Sequence, residues 1–159
     1  MKADRQPMTI AGKAHLDAEL KNLIQVERPA VIRAIEEARG HGDLSENADY
    51  DAAKERQAFV EARIADIQGK LANAEVVDTS QLKSEKVIFG AHVKLLDLET
   101  DEELTYQIVG EDEADVKAGK ISVFSPMARS MIGKAKGDLV ELKSPKGERE
   151  LEVIDFYFK

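Results

Sequence analysis

Cysteine is absent from this 159-residue chain, so disulfides and thiolate zinc sites are both excluded, and nothing points to an oxidising compartment. Histidine is scarce: His15, His41 and His92 are too scattered to form a zinc motif. No run of about 18 apolar residues exists to span a bilayer. The start, MKADRQPMTIAGK, lacks the apolar segment of a signal peptide, which predicts a cytoplasmic protein with no membrane partner. Positive charge is in deficit. Lys and Arg number 23 against 31 Asp and Glu, a formal charge of −8, which opposes long-range attraction to naked nucleic acid. Sequence-specific DNA binding is therefore not expected, and any nucleic-acid contact must be local or arranged by a partner that already holds the strand. Gly-rich phosphate loops and nucleophile elbows are missing too.

What is present is a chain 43% hydrophobic and 34% charged, enough for one ordinary core, or for a small core plus an extended helical element. The apolar pattern changes character once. From Thr9 to Ala74 it keeps helical spacing; from Val87 onward it clusters in short β-branched runs between Gly, Pro and acidic turns. The boundary falls within VVDTSQLKSEK, residues 76–86, and predicts an α+β protein with an N-terminal domain over 1–79 and a C-terminal domain over 80–159.

In the N-terminal part Thr9 is placed to cap a helix, and Leu16, Leu20, Ile24, Val31, Ile35 and Ala38 fall mainly on one stripe running to Arg39. Pro29 interrupts that stripe. A proline inside a helix removes a hydrogen bond and usually bends the axis, which predicts a kink or break near Arg28. Ala53, Val60, Ile64, Ile67, Leu71 and Ala74 then follow in steps of seven, four, three, four and three, the spacing of a coiled-coil seam. Two helices joined by a short Gly-containing turn predict an antiparallel hairpin on the order of 45 Å long. The C-terminal part reads as strands, VIFGAHVKLLDL, ELTYQIVG, KISVFS, DLVELK and ELEVIDFYF, with turns such as GEDEAD and SPKGE between them. SPMARSMIG predicts a short helix with Ser125 as its cap and Pro126 at its first position.

The chemistry concentrates in GHGDLSENADYDAAKE, residues 40–55, where Asp43, Glu46, Asp49, Asp51 and Glu55 crowd a glycine-flanked turn. Three readings compete there. In the first, Asp43-x-x-Glu46 is a capping box that starts the second helix. In the second, Asp43, Ser45, Asn47, Asp49 and Asp51 form a calcium loop, but Ala48 stands where that loop needs glycine and Lys54 where it needs a bidentate glutamate. In the third, the turn is a carboxylate tip that completes a magnesium site elsewhere, because magnesium keeps several waters and takes only one or two protein carboxylates. A helix N-terminus favours the ionised form of such acids. Composition does not choose between the cap and the metal.

The run ARGHGDLSENADYDAAKERQ, with RPAVIRAIEEAR before it and VIFGAHVKLLDL, TYQIVGEDEAD, ISVFSPMARSMIGKAKGD and EVIDFYF after it, resembles the GreA/GreB family of transcript cleavage factors. The resemblance covers nearly the whole chain. Its most specific parts are the G-D-L-x-E-N-A-x-Y tip and the S-P-x-A-R-x-x-I-G-K segment. The second helix, AAKERQAFVEARIADIQ, is mixed in sign and closer to the GreA branch than to GreB members, which carry a denser basic run. The resemblance implies an N-terminal antiparallel coiled coil and a C-terminal antiparallel-sheet domain of FKBP-like fold. It implies that the latter docks on bacterial RNA polymerase while the coiled coil enters the secondary channel. It also implies that Asp43 and Glu46 are the catalytic and metal-holding pair, sharing magnesium of the polymerase active site transiently and binding none stably alone. The polymerase then hydrolyses its own backtracked transcript, and the factor is a catalytic accessory, not an enzyme by itself.

The same resemblance implies phosphate contacts to transcript RNA by Arg39, Lys54 and Arg56, and polymerase docking through Ser122, Ser125 and Pro126. Plainer roles compete with these. Arg56, Arg63 and Lys70 recur every seven residues beside the seam, where ion pairs with Glu27, Glu36 or Glu37 are expected, and Ser125-Pro126 also reads as a cap and first turn. Asn47 and Tyr50 are placed to brace the turn or to contact the polymerase. Prolyl isomerase activity is not implied, since such pockets are lined with aromatics and this chain has 5% aromatics and no Trp; fold analogy does not carry function. Two other classes stay open: a secondary-channel regulator that inhibits without promoting cleavage, and a coiled-coil interaction or chaperone module whose tip is only a cap.

Overall fold

A computed structural model describes residues 5–43 and 47–159. It divides into two compact units, Lys13–Asn73 on one side and Arg5–Gly12 with Ala74–Lys159 on the other. The first is a helical hairpin: α1 (Ile10–Asn22), a π turn (Leu23–Glu27), α2 (Arg28–Arg39) and, returning, α3 (Ala48–Ala72). Thr9 starts it as the sequence predicts, its hydroxyl accepting from the Gly12 amide at 3.0 Å. Among the described residues no helix is long and apolar enough to cross a membrane.

No break occurs at Pro29. Asn22, Glu27 and Arg28 all hold right-handed helical dihedrals, and the Arg28 amide reaches back to the Leu23 carbonyl across the π turn. Proline cannot donate, and its ring crowds the carbonyl four residues earlier; one wider turn ahead of it relieves both demands and lets the helix continue. The extra residue shifts the seam. Leu16 and Leu23 are seven apart, but Val31 comes eight after Leu23, so Leu23 takes the buried position and the expected Ile24 is only half-buried. Val31, Ile35 and Ala38 on α2, and Ala53, Val60, Ile64 and Ile67 on α3, are buried as the stripe predicts. Leu71 is half-buried, and Ala74 departs from the expectation: α3 ends at Ala72, and Ala74 opens a strand. At about 1.5 Å per residue, the 25 residues of α3 extend roughly 37 Å.

Ion pairs line the seam. Arg28 grips Glu61 with two bonds of 2.7 and 2.9 Å, Arg63 grips Glu19 with two of 2.8 Å, and Arg56 meets Glu27 at 2.9 Å. The hydrogen bond from Arg63 holds the Glu19 carboxyl below the usual carboxylate range.

The second unit joins a parallel pair, β1 (Gln6–Thr9) and β2 (Ala74–Val77), to a five-stranded sheet. That sheet comprises β3 (His92–Asp97), β4 (Glu103–Val109), β5 (Lys120–Ser122), β6 (Leu139–Ser144) and β7 (Gly147–Tyr157) in the order β5-β4-β3-β7-β6. All its pairings are antiparallel except β4 with β5. The short helix α4 (Pro126–Met131) plugs one face, its Ala128 and Met131 packing with Val93, Leu95, Ile108, Val140, Leu151 and Val153 in one core. The expected first strand is shorter than VIFGAHVKLLDL suggests, because Gly90 takes φ +90° and an extended run cannot pass through it. Val87 still reaches the core, bonded through its own amide to Lys134 and through its carbonyl to Gly133.

The pair β1 and β2 was not legible in QPMT and AEVV. It is secured from the side by Glu113, whose carboxylate accepts from the amides of Thr9 and Gly110 at 3.1 Å each and from the Thr9 hydroxyl. Gly12 lies against that carboxylate, where a Cβ would overlap the Glu113 side chain.

Candidate functional site

The tip is built from two helix ends that face each other. α2 closes through bonds from the Gly40 amide to the carbonyls of Glu36 and Glu37, from His41 to Ala38 and from Gly42 to Arg39. Gly42 then takes φ +100°, a left-handed value that glycine adopts without strain, and turns the chain into Asp43. The returning helix does not begin at Asp43. Its cap is Asn47, in extended conformation, whose side-chain oxygen accepts from the Tyr50 amide at 3.0 Å.

This corrects the capping-box expectation. Asp43 is four residues ahead of the actual cap, and Glu46 lies outside the described residues. The acids of the first turn of α3 are instead Asp49 and Asp51, which the partial positive charge of a helix N-terminus favours. Two of the crowded carboxylates therefore serve the helix end. The bracing role of Asn47 was one of two readings. No signal in the sequence ranks Asn47 above Asp43, because both residue types cap equally well. The tertiary contact from the Asn47 amide to the Ala38 carbonyl on the opposite helix makes the choice.

Asp43 is exposed. With His41, Asn47, Ala48 and Asp49 it lines an open concavity of about 400 Å³. His41 Nδ1 stands 3.7 Å from a carboxylate oxygen of Asp49. The oxygen donors around this hollow, Asp43 and Asp49, are the kind that a hard cation such as magnesium takes. Among the described residues no group of three or more His, Cys, Asp or Glu side chains converges on a single point.

The three basic candidates differ. Arg39 is in the last turn of α2 and exposed. Lys54 is exposed on α3 and donates to Gln57 Oε1 at 3.2 Å. Arg56 is committed to Glu27 and also lies over the Phe59 ring, 5.6 Å from its centroid. In the sheet unit, Ser122, Ser125 and Pro126 come together in one tight turn. The Ser125 amide and hydroxyl both donate to the Ser122 carbonyl, at 2.9 and 2.7 Å, and Ser125 Oγ caps α4 by accepting from Ala128 at 3.2 Å. Beside them Phe124 and Ile132 are exposed at 41% and 38%.

Two family models match this chain: one described as "Transcription elongation factor, N-terminal" over residues 6–76, the other as "Transcription elongation factor, GreA/GreB, C-term" over 82–158. The chain belongs to the GreA/GreB family of transcription elongation factors. The first match begins at the first residue of β1 and ends within β2, so it takes in the hairpin and the strand pair that closes it. Among relatives, the chain is 58% identical over 156 residues to transcription elongation factor GreA of Hyphomonas neptunium, covering 98% of this chain and 99% of that one. It is 59% identical over 150 residues to the GreA of Phenylobacterium zucineum, covering 94% and 96%. A crystal structure of GreA factor homolog 1 from Thermus thermophilus is 28% identical, covers 96% of this chain and 99% of its own, and superposes with a TM-score of 0.44.

Proposed function

We propose that this protein is a bacterial transcript cleavage factor. It binds RNA polymerase through the sheet unit, carries the hairpin tip into the secondary channel, and stimulates the polymerase's own hydrolysis of backtracked RNA. The observation that carries this reading is the placement of Asp43: exposed, and at the apex of a helical hairpin whose returning helix is capped by Asn47.

Asp43, with Glu46 three residues on in the sequence, lends oxygens to magnesium in the polymerase active site. That ion, when bound, helps activate the attacking water in a two-metal displacement. The chain's own contribution is delivery and orientation, so it is an accessory and not a free-standing nuclease. Arg39 and Lys54 flank the acids and meet RNA phosphates; Arg56 does so only by giving up Glu27. Ser122, Ser125 and Pro126 form the docking turn, with Phe124 and Ile132 beside it as apolar contact. The compartment is that of the polymerase, the cytoplasm.

The test is to add the protein to stalled, backtracked elongation complexes with magnesium and follow the RNA. Shortened transcripts are expected. Asp43→Asn is expected to abolish shortening while binding to polymerase persists. Slowed synthesis without cleavage, or cleavage undiminished in Asp43→Asn, would overturn the proposal.

A further inference from the structure

We infer that Asn47 is a positioning residue for cleavage: its side-chain amide fastens the two helix ends at the tip and thereby holds Asp43 where magnesium must meet it. The inference rests on the cleavage-factor reading above. Every helix leaves its last four carbonyls and first four amides without partners in the helix. Here one side chain serves both ends at once. Oδ1 accepts from the Tyr50 amide at the start of α3, and Nδ2 donates to the Ala38 carbonyl in the last turn of α2, nine residues back. The residue is 8% exposed, so water does not replace either bond cheaply.

The chemistry of the side chain is what makes this specific. Asp, Ser and Thr all cap helices as acceptors, but a carboxylate cannot donate, and among the residue types that favour the cap position only the Asn amide offers a donor and an acceptor in one rigid plane. A short amide is required as well, because it must start the helix and reach across the turn together. Closing the base of the turn removes conformations from the span that holds Gly42, with its positive φ, and Asp43. A carboxylate delivered into another molecule's site benefits from such pre-organisation, since geometry lost at the tip is lost at the reacting atoms.

Asn47→Asp separates the two duties. It keeps the acceptor for Tyr50 and loses the donor to Ala38. Asn47→Ser is the second variant: it too retains a cap acceptor and is too short to reach Ala38. For both, in the free protein, helix content by circular dichroism and slow exchange of the Tyr50 amide are expected to persist, while ¹⁵N relaxation reports faster motion at Gly42 and Asp43. In backtracked complexes, polymerase binding by competition is expected to be unchanged. The magnesium concentration for half-maximal cleavage is expected to rise roughly 10-fold, the size typical of losing a contact that orients a metal ligand. High magnesium is expected to recover the rate.

A wild-type magnesium dependence in either variant, or unaltered relaxation at Gly42 and Asp43, would overturn the inference. If the unmutated protein fails to stimulate cleavage, the functional reading falls instead, and the relaxation data alone judge the clasp.

Discussion

Along the hairpin the buried side chains form a single file, with Leu16, Leu23, Val31, Ile35 and Ala38 running one way and Ala53, Val60, Ile64 and Ile67 returning. In the sheet unit Val93, Leu95, Ile108, Val140, Leu151 and Val153 are enclosed by strands beside them and by α4 above. A file of this kind leaves every core residue near water on two sides, where Arg–Glu pairs cover it; such exposed pairs add little each and are weakened by salt. An enclosed core is close-packed in all directions. The contrast teaches a division of labour: the sheet unit supplies bulk stability, and the hairpin supplies reach and a stiff mount for a few charged groups.

The comparison breaks first at Leu95. Truncation to Ala in a fully enclosed site is expected to cost about 2–5 kcal/mol, seen as a lower midpoint in thermal unfolding. In the hairpin the informative pair is Leu23→Ala against Ile24→Ala. With the π turn setting the register, Leu23→Ala is expected to cost about 2–3 kcal/mol, and Ile24→Ala clearly less. Equal costs, or the reverse order, would mean that the seam runs through Ile24 and that the extra residue sits elsewhere.

Acid comes next. Asp97 is 3% exposed and accepts from Arg149 at 2.8 and 3.2 Å and from the amides of Glu99 and Thr100. The Arg149 hydrogen bond, chiefly, holds its carboxyl below the usual range. The unfolded chain therefore takes up that proton more readily than the folded one. The stability Asp97 gives is complete above the ordinary carboxylate value of about 3.9 and is lost as pH falls from there through the depressed folded value. Urea unfolding across the acid range is expected to show this loss, and Asp97→Asn to flatten it. Glu19 and Glu61 are depressed by Arg63 and Arg28 in the same direction, but Glu61 is exposed and Glu19 only half-buried, so high salt is expected to weaken their share, that of Glu61 most, and to leave that of Asp97.

The smallest effect sharpens the comparison at two glycines inside helices. Gly69 has open space around it, so Gly69→Ala is expected to stabilise the hairpin by about 0.5–1 kcal/mol. Gly12→Ala is expected to destabilise despite the same propensity gain, because the new Cβ displaces the Glu113 side chain from Thr9 and Gly110. Paired melting curves decide it.

Much of this was readable from residue order. The Thr9 cap, the stripe from Val31 to Ala38, the seam from Ala53 to Ile67 and the Ser125-Pro126 helix start all arise from interactions within a few residues, and local periodicity and capping chemistry report such interactions directly. The pairing of β1 with β2 was not legible, since each is four residues long and a parallel partner tens of residues away leaves no local trace. The π turn was visible only as a proline, and its consequence, exchanging Ile24 for Leu23, depends on the facing helix. At the tip the acids stood out, and reading Asp43 as the cap passed over Asn47, a residue type that caps equally well.

By itself the sequence determined a charged, cysteine-free α+β chain, its helical hairpin, the acidic turn and the family it belongs to, because composition, period and motif are properties of near neighbours. Only the tertiary structure decided that Asn47 and not Asp43 caps α3, and that Leu23 and not Ile24 fills the seam. In both cases the deciding contact comes from a segment distant along the chain, the Ala38 carbonyl for one and the packing of α3 for the other, and local spacing carries no information about which of two adequate residues such a neighbour will meet.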